Sequence, residues 1–118
     1  MTPKRDEGEN RVAEFKLPNA QEWLDMVKAE IGLETDAEAA AYLKIPKQVI
    51  SNWRSNRMQI GVGDAMTVGL AIGVNPLFVI LSGQYHTAKP EKREKWRMMA
   101  SPVEPKTPRK PGKKRLNR

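Results

Sequence analysis

The residues with the clearest chemistry lie between positions 44 and 57, in the stretch KIPKQVISNWRSNR. It carries four basic residues and no acidic one. If the stretch is helical, with about 100° per residue, its polar and apolar side chains fall on opposite sides. The polar side holds Lys47, Gln48, Ser51, Asn52 and Ser55, with Arg54 at its edge, and the apolar side holds Val49, Ile50 and Trp53. Because amides can pair with adenine and cations with guanine or phosphate, the outer face suits a nucleic acid.

The placement of charge supports an anionic partner more strongly than the net charge of +7 does. Residues 19–86 hold five basic and seven acidic residues, a net of −2, yet four of the five basic residues lie in 44–57. An ordinary solvated helix usually mixes acidic residues into its polar face, and this one has none. A local positive excess in an acidic neighbourhood therefore favours binding of an anion over simple solvation.

The sequence lacks the residues that several kinds of catalytic and metal site require. The chain has no cysteine and one histidine, His86, which excludes disulfides, thiolate metal sites and thiol nucleophiles. No paired carboxylates, nucleophile–base pair or phosphate-binding loop is visible. Tyr42 or Tyr85 as a recombinase nucleophile would need basic catalytic partners that the sequence lacks, so both are expected to be packing residues. We therefore expect neither an enzyme nor a cofactor.

The N-terminus, MTPKRDEGEN, has no apolar segment typical of a secretory signal. Together with the absence of cysteine, this favours a cytoplasmic protein. Residues 1–18 are polar and of mixed charge, and we expect them to form a flexible arm.

Capping signals predict the first two helices. Asn19 followed by Glu22 is typical of a capping box, and Gly32 ends the helix that they begin. The second helix begins at Thr35 or Asp36, with a further capping glutamate three residues after Thr35, and it is rich in alanine.

Proline predicts the break between the second and third helices. Pro46 disfavours a helical conformation at Ile45 and is suited to the first turn of a new helix. The third helix is therefore expected over residues 46–55, with Asn56 as a left-handed C-cap.

The C-terminal half predicts further helices and no strand. Residues 65–88 contain no charged side chain, but glycines, Asn75 and Pro76 divide them, so two short buried helices at 62–72 and 76–83 fit better than a membrane span. A last helix is expected at 90–100, where Glu91 and Lys95 are spaced i,i+4. The fold is therefore expected to be all-α.

Residues 35–57, TDAEAAAYLKIPKQVISNWRSNR, resemble the helix-turn-helix of lambda repressor/Cro-like (XRE) DNA-binding proteins. The positions that carry the resemblance are Ala40, Leu43, Ile45, Lys47, Gln48, Ile50, Ser51 and Trp53. The helix at 62–72 and the segment GVNPLFVIL resemble the fourth and fifth helices of the family, so the resemblance covers about residues 19–86. It is greatest to small regulators of phages and other mobile elements.

The resemblance implies a compact domain of five to six helices, at residues 19–86, that binds double-stranded DNA with its third helix in the major groove. It implies base contacts by Lys47, Gln48, Ser51 and Asn52. Phosphate contacts are expected from the side chains that flank them, Lys44, Arg54, Ser55 and Arg57. It also implies a nucleoid-associated regulator with no evident small-molecule effector.

Two residues depart from the family pattern. Lys44 occupies a turn position that is usually glycine, so either the turn differs or Lys44 has a strained backbone. Asp36 occupies a position that often holds a phosphate-binding glutamine, and a carboxylate there would repel a phosphate.

The C-terminal residues 101–118 are predicted to form a disordered basic tail. Prolines at 102, 105, 108 and 111 recur with the three-residue period of a polyproline II helix. The basic residues that could contact DNA are Lys106, Arg109, Lys110, Lys113, Lys114 and Arg115. A solubilising tail without a nucleic-acid contact is an equal alternative.

The sequence leaves the assembly and the exact role of the protein open. The small core and the apolar residues of 76–83 favour a homodimer through that helix or through 90–100. The leading function is a repressor of a phage or mobile element. The alternatives are a DNA-binding accessory factor, such as an excisionase or architectural protein, and an antitoxin whose tail binds a protein.

Overall fold

A computed structural model describes residues 17–105 as an all-α structure, which confirms the predicted fold class. Its helices are α1 (Ala20–Ile31), α2 (Asp36–Leu43), α3 (Lys47–Arg54), α4 (Val62–Ile72), α5 (Pro76–Thr87) and α6 (Pro90–Ala100), followed by a 3-10 turn (Ser101–Val103). No strand occurs among these residues. Residues 1–16 of the predicted arm, and the predicted tail contacts from Lys106 onward, lie outside the described residues.

The predicted capping boxes begin α1 and α2. The Asn19 side chain accepts a hydrogen bond from the Glu22 amide, and the Glu22 carboxylate accepts one from the Asn19 amide, both at 2.9 Å. Thr35 and Glu38 form the same reciprocal pair at the start of α2. Because these bonds satisfy amides that lack partners within the helix, they fix where each helix begins.

The core forms where α1 meets α3, α4 and α5. Trp23, Leu24 and Val27 of α1 are buried, and the ring of Trp23 packs edge-on against Phe78 of α5 at 5.8 Å between centroids. Trp53 of α3 is also buried. Burial of each large apolar side chain contributes on the order of 1.5–3 kcal/mol, so these contacts fix α3 on the rest of the domain.

The core extends beyond the residues assigned to the domain from sequence. Leu17, placed in the flexible arm, is buried, and its carbonyl oxygen lies 2.6 Å from Nε2 of His86. Helix α5 ends at Thr87 instead of residue 83. Helix α6 packs along α5, and the guanidinium of Arg93 lies 5.8 Å from the centre of the Tyr85 ring. Residues 87–100 are thus part of the same packed unit.

Helix α6 continues into the 3-10 turn, so residues 101–103, predicted as the start of the tail, are not extended. Pro102 lies within the turn, and Val103 packs partly buried against the core. Pro102 therefore does not take part in the predicted polyproline II period. Among the described residues, no helix is both long and apolar enough to cross a membrane.

Candidate nucleic-acid interface

The turn between α2 and α3 sets the direction of α3. Lys44 adopts the left-handed conformation at φ 60° and ψ 43°, and the Ile45 amide donates to the Ala40 carbonyl at 3.0 Å. Ile45 itself is buried. The turn therefore has the left-handed geometry for which glycine is the usual residue. Of the two possibilities stated above, a different turn or a strained backbone at Lys44, the structure has the second.

Helix α3 begins without a side-chain cap. Pro46 is its N-cap and offers no hydrogen-bonding side chain, whereas α1 and α2 both begin with closed capping boxes. The first turn of α3 contains no acidic residue. The positive end of its helix dipole therefore remains available to an anion.

Burial divides α3 into the two predicted faces. Ile50 and Trp53 are 2% and 1% exposed, and Val49 is half-buried against the core. On the opposite side Lys47, Gln48 and Ser51 are exposed, and Asn52 is half-buried. The four side chains predicted to read bases therefore share one accessible face, which we call the readout face.

The two amides of the readout face contact each other. Nε2 of Gln48 donates to Oδ1 of Asn52 at 3.4 Å, a long hydrogen bond between residues one helical turn apart. Each amide retains a second hydrogen-bonding atom. A paired donor and acceptor is what recognition of the major-groove edge of adenine requires.

Arg54, predicted to contact phosphate, forms hydrogen bonds with carboxylates of α1 and α2. Its Nε donates to Oδ2 of Asp36 and its Nη2 to Oδ1 of Asp36, both at 2.9 Å, and Nη2 also donates to Oδ1 of Asp25 at 2.8 Å. Lys28 lies 2.9 Å from the same Asp36 carboxylate. The side chain thus joins α3 to both α1 and α2.

These bonds shift the pKa of both Asp36 and Arg54. Hydrogen bonds from Arg54, and then from Lys28, lower the pKa of Asp36 to about 2. Hydrogen bonds to Asp36 and Asp25 raise the pKa of Arg54 above its ordinary value. Asp36 is therefore a charged and compensated partner of two cations, and its repulsion of a nearby phosphate is weaker than that of a free carboxylate.

The segment after α3 is tied to the start of α1, a connection that local sequence patterns did not predict. Asn56 adopts the predicted left-handed conformation at φ 58°, and its Nδ2 donates to Oε1 of Gln21 at 3.4 Å. Oε1 of Gln59 accepts a hydrogen bond from the Ala20 amide at 2.8 Å. These amides therefore support the end of α3.

The remaining predicted phosphate contacts flank the readout face. Lys44 and Arg57 are exposed beyond the two ends of α3. Ser55 is exposed, but its hydroxyl donates to the Asn52 carbonyl at 3.3 Å. Together with Lys47, Lys44 and Arg57 place exposed positive charge at both ends of the readout face.

A shallow groove lies between the start of α2 and α3. Its volume is about 240 Å³, and its lining includes Ala37, Lys47 and Ser51. This is smaller than the roughly 300–1,000 Å³ typical of small-molecule pockets. Within residues 17–105, no group of three or more acidic, histidine or cysteine side chains could hold a metal ion.

Comparison of the chain with protein-family models, with curated proteins and with solved structures finds no match.

Proposed function

We propose that this protein is a sequence-specific double-stranded DNA-binding regulator that places α3 in the major groove. The observation that carries the proposal is the readout face, which is accessible and free of acidic residues on a helix whose other face is buried by Ile50 and Trp53. A major groove about 12 Å wide admits one α-helix, and its base edges pair with the amide and cationic groups found here.

The proposed contacts divide by chemistry. Lys47, Gln48, Ser51 and Asn52 meet base edges, while Lys44 and Arg57 meet phosphates. Arg54 changes role, because its guanidinium already binds two carboxylates. The resemblance to lambda repressor/Cro-like proteins supports a repressor of a phage or mobile element. Such a protein would lie with the nucleoid in the cytoplasm.

The structure suggests a surface for the predicted dimer contact that differs from the two helices proposed from the sequence. Phe78, Val79 and Leu81 of α5 are buried in the core and are not available to a partner, which leaves Leu77 as the exposed large aliphatic side chain of this helix. Helix α4 instead exposes Val62, Met66 and Leu70, which follow one another at four-residue spacing. We place the dimer contact on this row, the α4 stripe, because an uncharged face meets an identical copy without repulsion between like charges.

Selection of bound duplexes from a random pool, with the full chain, tests the proposal. We expect enrichment of one consensus, arranged as two inverted half-sites if the protein binds as a dimer. The double variant Gln48→Ala, Asn52→Ala is the control and is expected to lose the enrichment while it retains the fold.

Three outcomes of the selection would contradict the proposal or its assignment of base contacts. Recovery of random sequences would favour an architectural role that depends on the basic tail. Absence of any bound duplex would favour an antitoxin whose tail binds a protein. The double variant enriching the same consensus as the wild type would remove the readout assignment.

A further inference from the structure

The ion-pair cluster around Arg54 lies beside the readout face. It consists of Arg54 from α3, Asp25 and Lys28 from α1, and Asp36 from α2. It contains two cations and two anions, so its net charge is zero. The cluster therefore joins three helices and adds no net positive charge to a surface where a positive charge would otherwise strengthen DNA binding.

The geometry of the cluster restrains the recognition helix. Arg54 binds Asp36 through two nearly equal bonds and binds Asp25 through a third. The planar guanidinium can bond two carboxylates at fixed angles, which an ammonium group does not do. A displacement of α3 relative to α1 or α2 would lengthen at least one of these bonds.

Because of where Arg54 lies, its ion pairs with Asp36 and Asp25 affect DNA binding. It is the last residue of α3, and it follows Ser51 of the readout face by three positions. A free arginine there would be within reach of a phosphate, and a phosphate contact strengthens binding to every sequence alike. Base contacts instead require side chains held within about 0.5 Å and 10–20° of their productive geometry.

We propose that Asp36, through Arg54, determines specificity: it positions the readout face and keeps the Arg54 charge away from the DNA backbone. The proposal rests on the function proposed above. Asp36 and Arg54 are positioning residues, since neither is assigned a contact with a base. The preference for the selected sequence over random sequence then depends on residues outside the readout face.

Affinity for a selected and a random duplex, measured over a range of salt concentrations with the full chain, tests this inference. Asp36→Asn removes one negative charge and the ion pair through which Asp36 holds Arg54, and it leaves the single bond to Asp25. We expect it to bind random duplex more tightly and to lower the ratio of selected to random affinity about tenfold, the loss of one base contact. Freeing Arg54 should steepen the logarithmic salt dependence by about 0.9.

Glu34→Gln is the matched control. Glu34 is exposed just before α2, and neither of the ion pairs of Arg54 involves it. Glu34→Gln removes one negative charge, as Asp36→Asn does, but leaves the ion-pair cluster intact. The affinities for the selected and the random duplex should therefore rise by one common factor. Arg54→Lys is a second variant, which retains the positive charge and is expected to lower the ratio as Asp36→Asn does. Thermal melting establishes the folded fraction of each variant.

The outcomes separate the two proposals. A mere loss of stability lowers both affinities by the same factor and leaves the ratio unchanged, and that result would overturn the positioning role. If the salt dependence of DNA binding were equally steep for Asp36→Asn and Glu34→Gln, the proposal that Asp36 keeps Arg54 away from phosphate would be wrong. A wild-type chain that does not prefer the selected duplex would overturn the proposed function itself, and the salt slopes would still decide the state of Arg54.

Discussion

At the scale of single residues, burial and partners separate side chains that the sequence presents as equivalent. Gln48, Asn52, Asn56 and Gln59 are four amides within twelve residues of chain. The first two lie on the readout face and contact each other, whereas the last two bind α1. Helical periodicity assigns Gln48 and Asn52 correctly, because both belong to α3. It has no bearing on Asn56 and Gln59, whose partners in α1 are more than thirty residues away.

Gln48→Ala and Arg57→Ala should therefore affect DNA binding in different ways. Loss of the Gln48 amide is expected to weaken preference at one base pair by about 1–3 kcal/mol, because only the matching base presents the complementary atoms. Loss of Arg57 should weaken binding to all duplexes and flatten the salt slope by about 0.9. Equilibrium binding to the selected duplex and its single-base variants measures both effects.

Gln59→Ala is a control for these two substitutions. It removes an amide that holds the start of α1, so it should lower thermal stability and leave base preference unchanged. If Gln48→Ala weakens binding to selected and random duplexes equally, Gln48 is not a base contact.

Arg54 illustrates why part of the site was not predictable from the sequence. On a helical wheel it falls at the edge of the polar face, which favours a phosphate contact. Its partners Asp36 and Asp25 precede it by 18 and 29 residues and belong to other helices. Only the packing of α1 and α2 against α3 brings these charges together. The same packing pairs Asp36 with two cations, which compensate a carboxylate that would otherwise repel a phosphate.

At the scale of elements, local signals predicted where helices begin better than where they end. Asn19 and Thr35 are predicted as caps from their side chains, since capping depends on residues a few positions apart, and Pro46 lies one residue before its predicted position in α3. The end of α5 was placed at residue 83, but the helix continues through Gly83 to Thr87. A Cβ atom at Gly83 would lie 3.1 Å from the Ile60 carbonyl oxygen. This glycine permits close packing inside a helix, which a local pattern does not distinguish from a helix end.

Lys44→Gly tests the strain in the turn that positions α3. A non-glycine residue in the left-handed conformation costs roughly 1–2 kcal/mol, and the greater freedom of unfolded glycine offsets about 0.5–1 kcal/mol of the relief. We expect a net gain in stability of about 0.5–1 kcal/mol. Thermal or urea unfolding measures this gain. Loss of the Lys44 charge should at the same time weaken binding to all duplexes.

Lys44→Ala is the matched control for Lys44→Gly. It removes the same charge and side chain but retains a Cβ atom, so it should weaken DNA binding equally without the gain in stability. Equal stability of the two variants would show that the left-handed backbone at position 44 carries no strain.

At the scale of the whole molecule, the exposed apolar surface bears on assembly. Val62, Met66 and Leu70 of α4 are 64%, 50% and 72% exposed. Residues 65–88 contain no Asp, Glu, Lys or Arg, so the C-terminal part of the stripe has no charged neighbour along the chain. Helix α6 also exposes Met98 and Met99, but it carries charged residues at most of its other positions. The stripe is therefore the better match for an identical copy.

Leu70→Lys tests the α4 stripe as the dimer contact. Two-fold symmetry would bring the new ammonium groups of both copies together in an apolar contact, so we expect the variant to be monomeric. Stable dimers usually bury about 800 Å² per subunit, more than three side chains supply, so the wild-type contact should be weak without DNA. We expect sedimentation to show a concentration-dependent dimer for the wild type and cooperative binding to an inverted repeat that Leu70→Lys abolishes.

Met98→Lys is the matched substitution on α6, with the same change of an exposed apolar residue to a cation. If the α4 stripe forms the contact, Met98→Lys should retain the wild-type dimer and the cooperative binding. Loss of the dimer in Met98→Lys but not in Leu70→Lys would place the contact on α6, one of the two helices proposed from sequence. A wild-type chain that stays monomeric at high concentration and binds an inverted repeat without cooperativity would exclude both surfaces, because a dimer contact must couple the two half-sites.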